Sequence, residues 1–462
     1  MPRTRNILLA AVIKETGWSQ TQVAAAFVRV AAESGASELQ AVTRSHVSMW
    51  VGGTRPEARA ASILGETLSR KLGRVVPLEA IGLTPSGEPL APAGWDSDTL
   101  TTLKTLGDTE MDIARRRLLA TSAYSIAGAA LPQDRWWDQT LTSARERTPL
   151  SHDRVTAGHV EAVREMGAFL SRRDQRLGGQ AGRASLIAYL RDDVATYLAA
   201  HIPTEQTRKD LTSAAAELTY LAGWMSFDSG EHALAQHYFR LATRMAAEAD
   251  DAPLAGHILR AMAHQAVDLG HPTQALQLAK ASVAERRYTL ASPRERALLG
   301  VVHAKSLAAA GHKQPALTAL LRAEDDLHHA DTTPGDEPQR VFFFGEASLA
   351  HETACTLRTL GDLTGAEKEF HRSVRTRRAQ QHARTHAVTL GYLGAVQARQ
   401  GHLDAACATW TQALDAMTGI RSGRTRDTVI HMRRALSPLR SRGGSAATEL
   451  DQRAAQMLRA VG

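Results

Sequence analysis

Apolar residues recur at helical spacing along most of the chain, and a turn signal interrupts them at regular intervals. Five glycines end a helical pattern and are followed five residues later by alanine, in the pairs Gly230/Ala235, Gly270/Ala275, Gly311/Ala316, Gly361/Ala366 and Gly401/Ala406. The glycines are spaced by 40, 41, 50 and 40 residues. We therefore predict five helical hairpins, in which glycine ends the first helix and alanine lets the second cross close to it. The alternative is an irregular helical bundle with coincident glycines.

A smaller helical unit precedes these repeats, in residues 1–83. Thr43 is a suitable N-cap for its third helix, which the pattern places at residues 44–51. Val47 and Trp50 lie at i, i+3 spacing and should point inward, which leaves the other faces polar. A short, capped helix with a polar outer face is the element that a helix-turn-helix places in the major groove of DNA.

Polar residues at the ends and on the outer faces of these helices are the candidates for DNA contacts. Groups at helix ends can hold phosphates, whereas side chains on the third helix can reach base edges. The candidates are Gln20, Thr21, Thr43, Arg44, Ser45, His46, Ser48 and Arg55, of which Arg44, His46 and Ser48 are assigned to base edges. The alternative is that all of them are solvated residues of a small helical cap.

Residues 84–96 separate this unit from the rest, because three prolines and two glycines in thirteen positions break any helix. We interpret residues 84–150 as a linker with adaptor helices and residues 151–462 as the helical-repeat domain. The chain of 462 residues has 55 Lys and Arg against 48 Asp and Glu. Two cysteines exclude a disulfide scaffold, and no apolar run approaches the ~20 residues of a membrane span. We expect a soluble, cytoplasmic, mostly helical protein.

The repeats also predict a ligand groove. In a solenoid of helical hairpins, the first helix of each pair lines the inner face. The candidates on that face are Glu217, Tyr220, Trp224, Phe227, His257, Arg260, His264, Lys305, His351, Arg358 and Arg399. Aromatic residues at one end and cations at the other suit a peptide or an acidic small molecule. Alternatively, these residues bind nothing specific or pack against the N-terminal half.

Other motifs exclude classes of function. The basic run in residues 371–384 is interpreted as the solvated face of an outer helix. His328/His329 and His382/His386 come nearest to metal-ligand spacing, but no carboxylate or cysteine accompanies them. The chain has no phosphate-binding loop, dinucleotide motif or nucleophile elbow. We expect no metal, no cofactor and no enzymatic activity.

With both halves considered, the chain resembles the actinobacterial regulators that join a lambda-repressor-like helix-turn-helix domain to a tetratricopeptide domain. The resemblance is carried by residues 50–56 (WVGGTRP), 214–239 and 255–275, and it extends to an internal arginine-rich segment. That family includes regulators of sporulation and antibiotic production in Streptomyces-like bacteria. Its architecture is similar to that of the peptide-pheromone receptors of Firmicutes.

The resemblance implies an all-α fold, with a lambda-repressor-like helix-turn-helix domain followed by a tetratricopeptide-like α-solenoid. It also implies a sequence-specific transcriptional regulator that binds double-stranded DNA as a homodimer and senses a peptide or small-molecule effector. The alternative is a tetratricopeptide interaction scaffold without specific DNA binding. Arg44, Ser45, His46 and Ser48 match no operator code, so the sequence leaves the operator, the effector and the sign of regulation open.

Overall fold

The structure, a computed structural model, describes residues 4–34, 36–83, 94–112, 124–132, 135–332, 335, 337–440 and 445–461. These residues form helices and connecting turns, with one isolated bridge between Arg154 and His201 in place of any sheet. The all-α fold predicted from the sequence is thereby confirmed. Most of the linker predicted at residues 84–96, and the arginine-rich segment at residues 115–117, lie outside the described residues.

Four helices form the N-terminal unit, called the head below: α1 (Ile7–Glu15), α2 (Gln20–Glu33), α3 (Arg44–Val51) and α4 (Ala58–Leu72). They enclose an apolar core separate from that of the repeats. As predicted, Val47 and Trp50 of α3 point into this core, where the Trp50 ring lies 5.4 Å from the ring of Phe27. The packing fixes which face of α3 remains outside.

Asn6 joins three parts of the head. Its side chain caps α1 by accepting from Leu9 N at 2.9 Å, and it donates to the Ile81 carbonyl at 2.8 Å. Its backbone N–H donates to the Val51 carbonyl at 2.9 Å, at the end of α3. The chain passes so close there that a Cβ on Gly53 (φ 101°) would lie 2.1 Å from the Thr4 carbonyl oxygen, so only glycine fits.

In the described ranges that follow the head, seven helical elements pack around the first repeat. They are α5 (Thr99–Met111), α6 (Ile126–Ala129), α7 (Trp136–Arg145), α8 (Ala157–Leu177), α9 (Arg183–Tyr189), a π-helical turn (Leu190–Val194) and α10 (Ala195–Ala199). The long helix α8 lies against both the first and the last repeat hairpin.

Five helical hairpins form the repeat array, as the glycine spacing predicts. Their helix pairs are α11/α12 (Glu205–Asp228, His232–Glu248), α13/α14 (Ala252–Asp268, Pro272–Ser282), α16/α17 (Pro293–Ala309, Lys313–Thr332), α18/α19 (Glu346–Thr359, Leu363–Thr376) and α20/α21 (Ala383–Arg399, Leu403–Ala416). A short helix, α15 (Arg286–Thr289), lies between the second and third pairs. All five turn glycines have φ between 76° and 89°, the left-handed conformation that glycine adopts without strain.

Residue size is matched between the two helices of a hairpin. In the first hairpin a Cβ on Gly223 would lie 2.7 Å from the Phe239 ring, and in the fifth a Cβ on Gly394 would lie 2.5 Å from the Trp410 indole. The two large rings are both buried. Glycine thus provides the space that a bulky residue on the partner helix fills.

The two ends of the repeat array meet, so the superhelix closes on itself. Two further helices, α22 (Gly423–Arg440) and α23 (Ser445–Val461), follow the fifth hairpin. Arg384 of α20 donates to Asp174 of α8 at 2.9 Å, and Ser422 donates to Asp228 of α11 at 3.0 Å. These contacts join residues about 200 positions apart in the chain, and they turn the expected open groove into an enclosed interior.

Candidate functional site

The N-terminus of α3 is closed by an unusual capping box. The Thr43 backbone N–H donates to Nδ1 of His46 at 3.1 Å, and the Thr43 hydroxyl lies 3.0 Å from the same atom. Histidine thus takes the position that Glu or Gln usually holds in this motif. Nδ1 of His46 thus serves the cap, and Nε2 remains for the predicted contact with a base edge.

The other DNA-contact candidates lie on the surface or at a helix end. Thr21, Thr43, Arg44, Ser45, Ser48 and Arg55 are exposed, and Gln20 is half-buried in the first turn of α2. Met49 of α3 is also exposed. The outer face of α3 therefore offers a guanidinium, two hydroxyls and an apolar side chain.

Ion pairs divide the charge of the head unevenly. Three arginines neutralise four carboxylates, in the pairs Arg59–Glu38, Arg74–Glu15, Arg70–Glu33 and Arg70–Glu66. Over the described part of the chain, Arg5, Arg44 and Arg55 make no ion pair. Arg44 begins α3, whereas Arg5 and Arg55 lie close to its other end. Lys14, Arg29 and Lys71 of the head also make no ion pair in the described residues, so unpaired cations flank the exposed face of α3 and lie elsewhere on the head as well.

Residues 124–130, called the strap below, connect the head to the repeats. On the head side, Arg70 donates to the Tyr124 carbonyl at 2.9 Å, and the Ile126 N–H donates to Glu66 at 3.2 Å. Burial raises the pKa of Glu66 to about 7, although Arg70 opposes this shift. Helix α4 is therefore held to the strap through a nearly buried carboxyl group.

On the other side, the strap and α5 are held by four side chains spaced four residues apart on α12. Gln236 both accepts from the Ser125 N–H (2.8 Å) and donates to the Ser125 carbonyl (2.9 Å). Arg240 donates to the carbonyl of Ala127, and Arg244 and Glu248 both contact Thr99. This row of polar side chains explains why α12 is buried on all its faces.

A segment of the chain itself occupies the groove that the sequence assigned to a ligand. Residues 337–344, called the plug below, follow α17 and lie in the widest gap between repeats. Arg340 of the plug donates to both oxygens of Glu295, at 2.7 and 2.9 Å, and to Glu217 at 2.9 Å. Val341 and Phe344 are buried beside it. The plug thus crosses the array from α16 to α11.

The contacts continue from Glu295 as a chain of hydrogen bonds. Burial and Arg260 lower the pKa of His257 to about 4, so its ring is neutral at pH 7. The ring lies 3.1 Å from Glu295 through Nδ1 and 3.0 Å from the Arg260 guanidinium through Nε2. Because arginine can only donate, Nε2 accepts and Nδ1 carries the proton that Glu295 accepts. Arg260 also donates to the Tyr220 hydroxyl at 2.9 Å.

A second buried cluster joins the second, third and fourth hairpins. Lys305 lies 3.0 Å from Asp268 and 3.7 Å from Glu352, and His264 lies 3.3 Å from Asp268. Burial and the charge of Lys305 lower the pKa of His264. Lys305 and His264 hold the pKa of Asp268 well below its usual range, although burial opposes this. The cations of the interior therefore come with carboxylates of their own.

Two cavities remain around the plug. The outer cavity has a volume of about 620 Å³ and lies between α8, α11 and the plug. The inner cavity has a volume of about 60 Å³ and lies at the centre of the closed array. Gln175, Trp224 and Phe343 line both, so a route between them passes these three side chains.

The predicted ligand residues are divided between the outer cavity, the inner cavity and positions that line neither cavity. Glu217 and Tyr220 line the outer cavity, Trp224 lines both, and Arg260, His264 and His351 line the inner cavity. Phe227, His257 and Lys305 are buried without lining either cavity, and Arg358 lies half-buried with its guanidinium 4.6 Å from the Tyr392 ring. Arg399 is exposed, because it is the last residue of α20 and lies at the hairpin edge. The structure does not bring Arg399 to the groove.

The interpretation of residues 371–384 as a solvated face is wrong at two positions. Arg377 is 8 % exposed and Arg384 is 2 % exposed, and both line the inner cavity. Arg340 and Arg424 of the interior were also not predicted. The sequence does contain one indication of the plug. Three consecutive phenylalanines, Phe342–Phe344, are unusual for a loop that only connects two helices.

Comparisons with known proteins assign part of the chain. Residues 9–84 match a family described as the SP15 N-terminal domain, which covers nearly the same residues as the core of the head. No curated protein sequence matches the chain. One solved structure that it is similar to is a Rap protein complexed with competence and sporulation factor, at 14 % identity and a TM-score of 0.40. That alignment covers 65 % of this chain and 88 % of the Rap chain. Because this similarity is low, the description of the architecture is based on the helices given above and not on the Rap structure.

Neither a metal site nor a membrane-spanning helix is found in the described ranges. No group of three or more His, Cys, Asp and Glu side chains there could hold a metal ion. The same ranges contain no helix that is both long and apolar enough to cross a membrane.

Proposed function

We propose that the protein is a sequence-specific DNA-binding regulator of transcription whose helical-repeat domain senses an effector. The observation that carries this proposal is the exposed polar face of α3, flanked by arginines without ion pairs. Unpaired exposed cations such as Arg29 also occur elsewhere on the head, so the argument depends on the position of these arginines at both ends of one exposed polar helix. A helix that enters a major groove needs cations where the phosphate backbone passes.

The residues divide into two roles under this proposal. Arg44 and Ser48 lie on α3 itself and would contact base edges, because bidentate arginine contacts to guanine are the commonest specific ones. Arg55 follows α3 and would contact a phosphate. Replacing Arg55 with alanine should weaken binding to all sequences and reduce the salt dependence by about one counterion. Replacing Arg44 should instead relax specificity at one base pair.

The strap supports the second half of the proposal. It contacts α4 of the head on one side and α12 on the other, and α12 pairs with α11, which lines both cavities. An effector that changes how α11 and α12 pack would therefore act on the placement of the head through one element. In a homodimer, this placement sets the spacing of two recognition helices on a palindromic site, about 34 Å apart.

The experiment is the recovery of genomic fragments on the purified full-length chain at one fixed, moderate salt concentration. The test variant is Arg44→Ala combined with Ser48→Ala. Arg29→Ala serves as the matched control, because it removes the same charge from an exposed position on α2. His46 is left intact, since its loss would also remove the cap of α3.

We expect the wild type and the Arg29 variant to enrich one shared palindromic sequence and the α3 variant to lose it. Equal enrichment by all three chains would mean that binding is electrostatic and unspecific. No enrichment by the wild type, with or without added cell extract as a source of effector, would leave the interaction scaffold as the better description.

A further inference from the structure

The inner cavity is lined by more positive than negative charge. Four guanidinium groups line it, against the single carboxylate of Glu352, in the set Arg260, Arg377, Arg384 and Arg424. Glu352 already lies near a further cation, Lys305 at 3.7 Å. A lining of this kind is unusual at the centre of a protein, because buried charges are normally paired one to one.

Two of the four arginines have carboxylate partners behind the cavity wall. Arg384 lies 3.3 Å from Asp228 and 2.9 Å from Asp174. Arg424 lies 3.9 Å from Asp268, the carboxylate that it shares with Lys305. These two guanidinium groups are therefore held by the protein itself.

The other two arginines have no carboxylate within ion-pair distance in the described parts of the chain. Arg260 donates to the Tyr220 hydroxyl and to His257, and Arg377 donates to the Ala347 carbonyl. The Nε–H groups of both arginines are buried without a hydrogen-bond partner. The exposed fractions of Arg260 and Arg377 are only 2 % and 8 %, so solvent does not replace the missing partner.

The lining and the groups within ion-pair distance of it contain five cations and four carboxylates, and Arg260 contacts a further carboxylate, Glu295, only through the ring of His257. The five cations are Arg260, Arg377, Arg384, Arg424 and Lys305, and the four carboxylates are Glu352, Asp174, Asp228 and Asp268. His264 and His351 add no charge, because burial and nearby cations lower the pKa of both rings. An uncompensated buried charge costs several kcal/mol, so the site is suited to a bound anion.

We propose that the inner cavity binds one small oxyanion, a carboxylate or phosphate group, between Arg260 and Arg377. The inner cavity has a volume of about 60 Å³, which is more than one water molecule needs and leaves room for a small group of this kind. Guanidinium groups are the preferred partners of both ions, through pairs of parallel N–H donors.

The site also specifies the effector, an inference that rests on the proposed function. The inner cavity adjoins the larger outer cavity, and the two share Gln175, Trp224 and Phe343. A ligand with an acidic end group would place that group in the inner cavity and its body in the outer one. An isolated oxyanion would occupy only the inner cavity.

The test measures binding of radiolabelled inorganic phosphate to the full-length chain by equilibrium dialysis, at an ionic strength held constant with KCl. Unlabelled acetate and sulfate are added as competitors, to compare carboxylate with tetrahedral oxyanions. The variants are Arg260→Gln and Arg377→Gln. Arg375→Gln is the matched control, because Arg375 lies two residues before Arg377, in the last turn of α19, and is exposed.

We expect one phosphate per chain in the wild type and in the Arg375 variant. The dissociation constant should rise at least about tenfold in the Arg260 and Arg377 variants, the effect of losing a charge-assisted hydrogen bond. The absence of saturable binding in the wild type, or an equal affinity in the Arg375 and Arg377 variants, would overturn the proposal.

A second measurement uses only the wild type, so it does not depend on whether the variants fold. Crystals of the wild type soaked in selenate should show anomalous density in the inner cavity, and an empty or water-filled cavity would overturn the proposal. The DNA-recovery experiment is independent of this site. Phosphate binding without specific DNA recovery would reject the proposed function and keep the site, whereas DNA recovery without phosphate binding would reject the site alone.

Discussion

Replacement of Arg384 by methionine tests whether the closed array depends on its buried ion pair. Arg384 is the only hydrogen-bond donor to the Asp174 side chain in the described residues, and it also lies 3.3 Å from Asp228. Methionine preserves much of the volume but leaves two buried carboxylates facing each other. Breaking a buried pair by removing one partner costs about 3–5 kcal/mol. We expect a loss of stability in this range at pH 8.

The pH dependence of this loss gives a further check. Burial raises the pKa of Asp174 to about 6 even with Arg384 present. Without the guanidinium the pKa rises further, so the folded protein takes up a proton that the unfolded chain does not hold until lower pH. Stability of the variant therefore recovers as the pH falls, and its deficit should be smaller at pH 5 than at pH 8.

The assay is urea unfolding followed by tryptophan fluorescence, since Trp224 lies 6.0 Å from Arg384. The second variant is Asp174→Asn, alone and combined with Arg384→Met. Because the double variant removes both charges, it should be more stable than Arg384→Met alone, with a coupling energy of about 2 kcal/mol or more. A cost below about 1 kcal/mol, or strictly additive effects of the two changes, would refute the role given to this pair.

Three further predictions concern a glycine inside a hairpin, the capping side chain of α1 and a buried carboxyl group of the head. Gly394→Ala should cost about 1–3 kcal/mol in urea unfolding, because the new methyl group would lie 2.5 Å from the Trp410 indole, whereas Gly158→Ala on the exposed start of α8 should cost almost nothing. Asn6→Ala should cost about 1–3 kcal/mol, since it removes the cap of α1 and a half-buried donor, and a urea midpoint equal to that of the wild type would contradict this. Glu66 has a folded pKa above its ordinary value of 4.5, so it stabilises the fold fully below pH 4.5 and loses this contribution as the pH rises through about 7. The melting temperature of Glu66→Gln should lack this decline, and parallel pH profiles of variant and wild type would contradict the assignment.

The sequence predicted those features that depend on local chemistry. The turn glycines could be predicted because a left-handed conformation at a helix end strongly favours glycine. The small residues in the first helix of each hairpin could be predicted because the second helix approaches closely there. Val47 and Trp50 were placed in the core by helical spacing alone. The enclosed interior was not predicted, because Asp174 and Arg384 lie 210 residues apart and nothing near either residue indicates its partner.

The same limit explains the error over the basic run. A cluster of arginines is usually solvated, since burying each one requires a partner, and the carboxylates that contact Arg384 come from α8 and from the first repeat, far away in the chain. His46 shows the opposite case, because its role in the cap depends only on a residue three positions earlier. That role was missed since the capping-box pattern normally contains Glu or Gln instead of histidine.

Two donors join the strap and the head through polar contacts in the described residues, Arg70 and the Ile126 N–H. Hydrogen bonds of this kind contribute about 1.5–3 kcal/mol each when one group is charged. Their sum of about 3–6 kcal/mol exceeds the 1–3 kcal/mol by which one ligand typically changes the binding of another. Under the proposed function, an effector would therefore change the placement of the head only by acting on part of this interface, through the packing of α11 and α12.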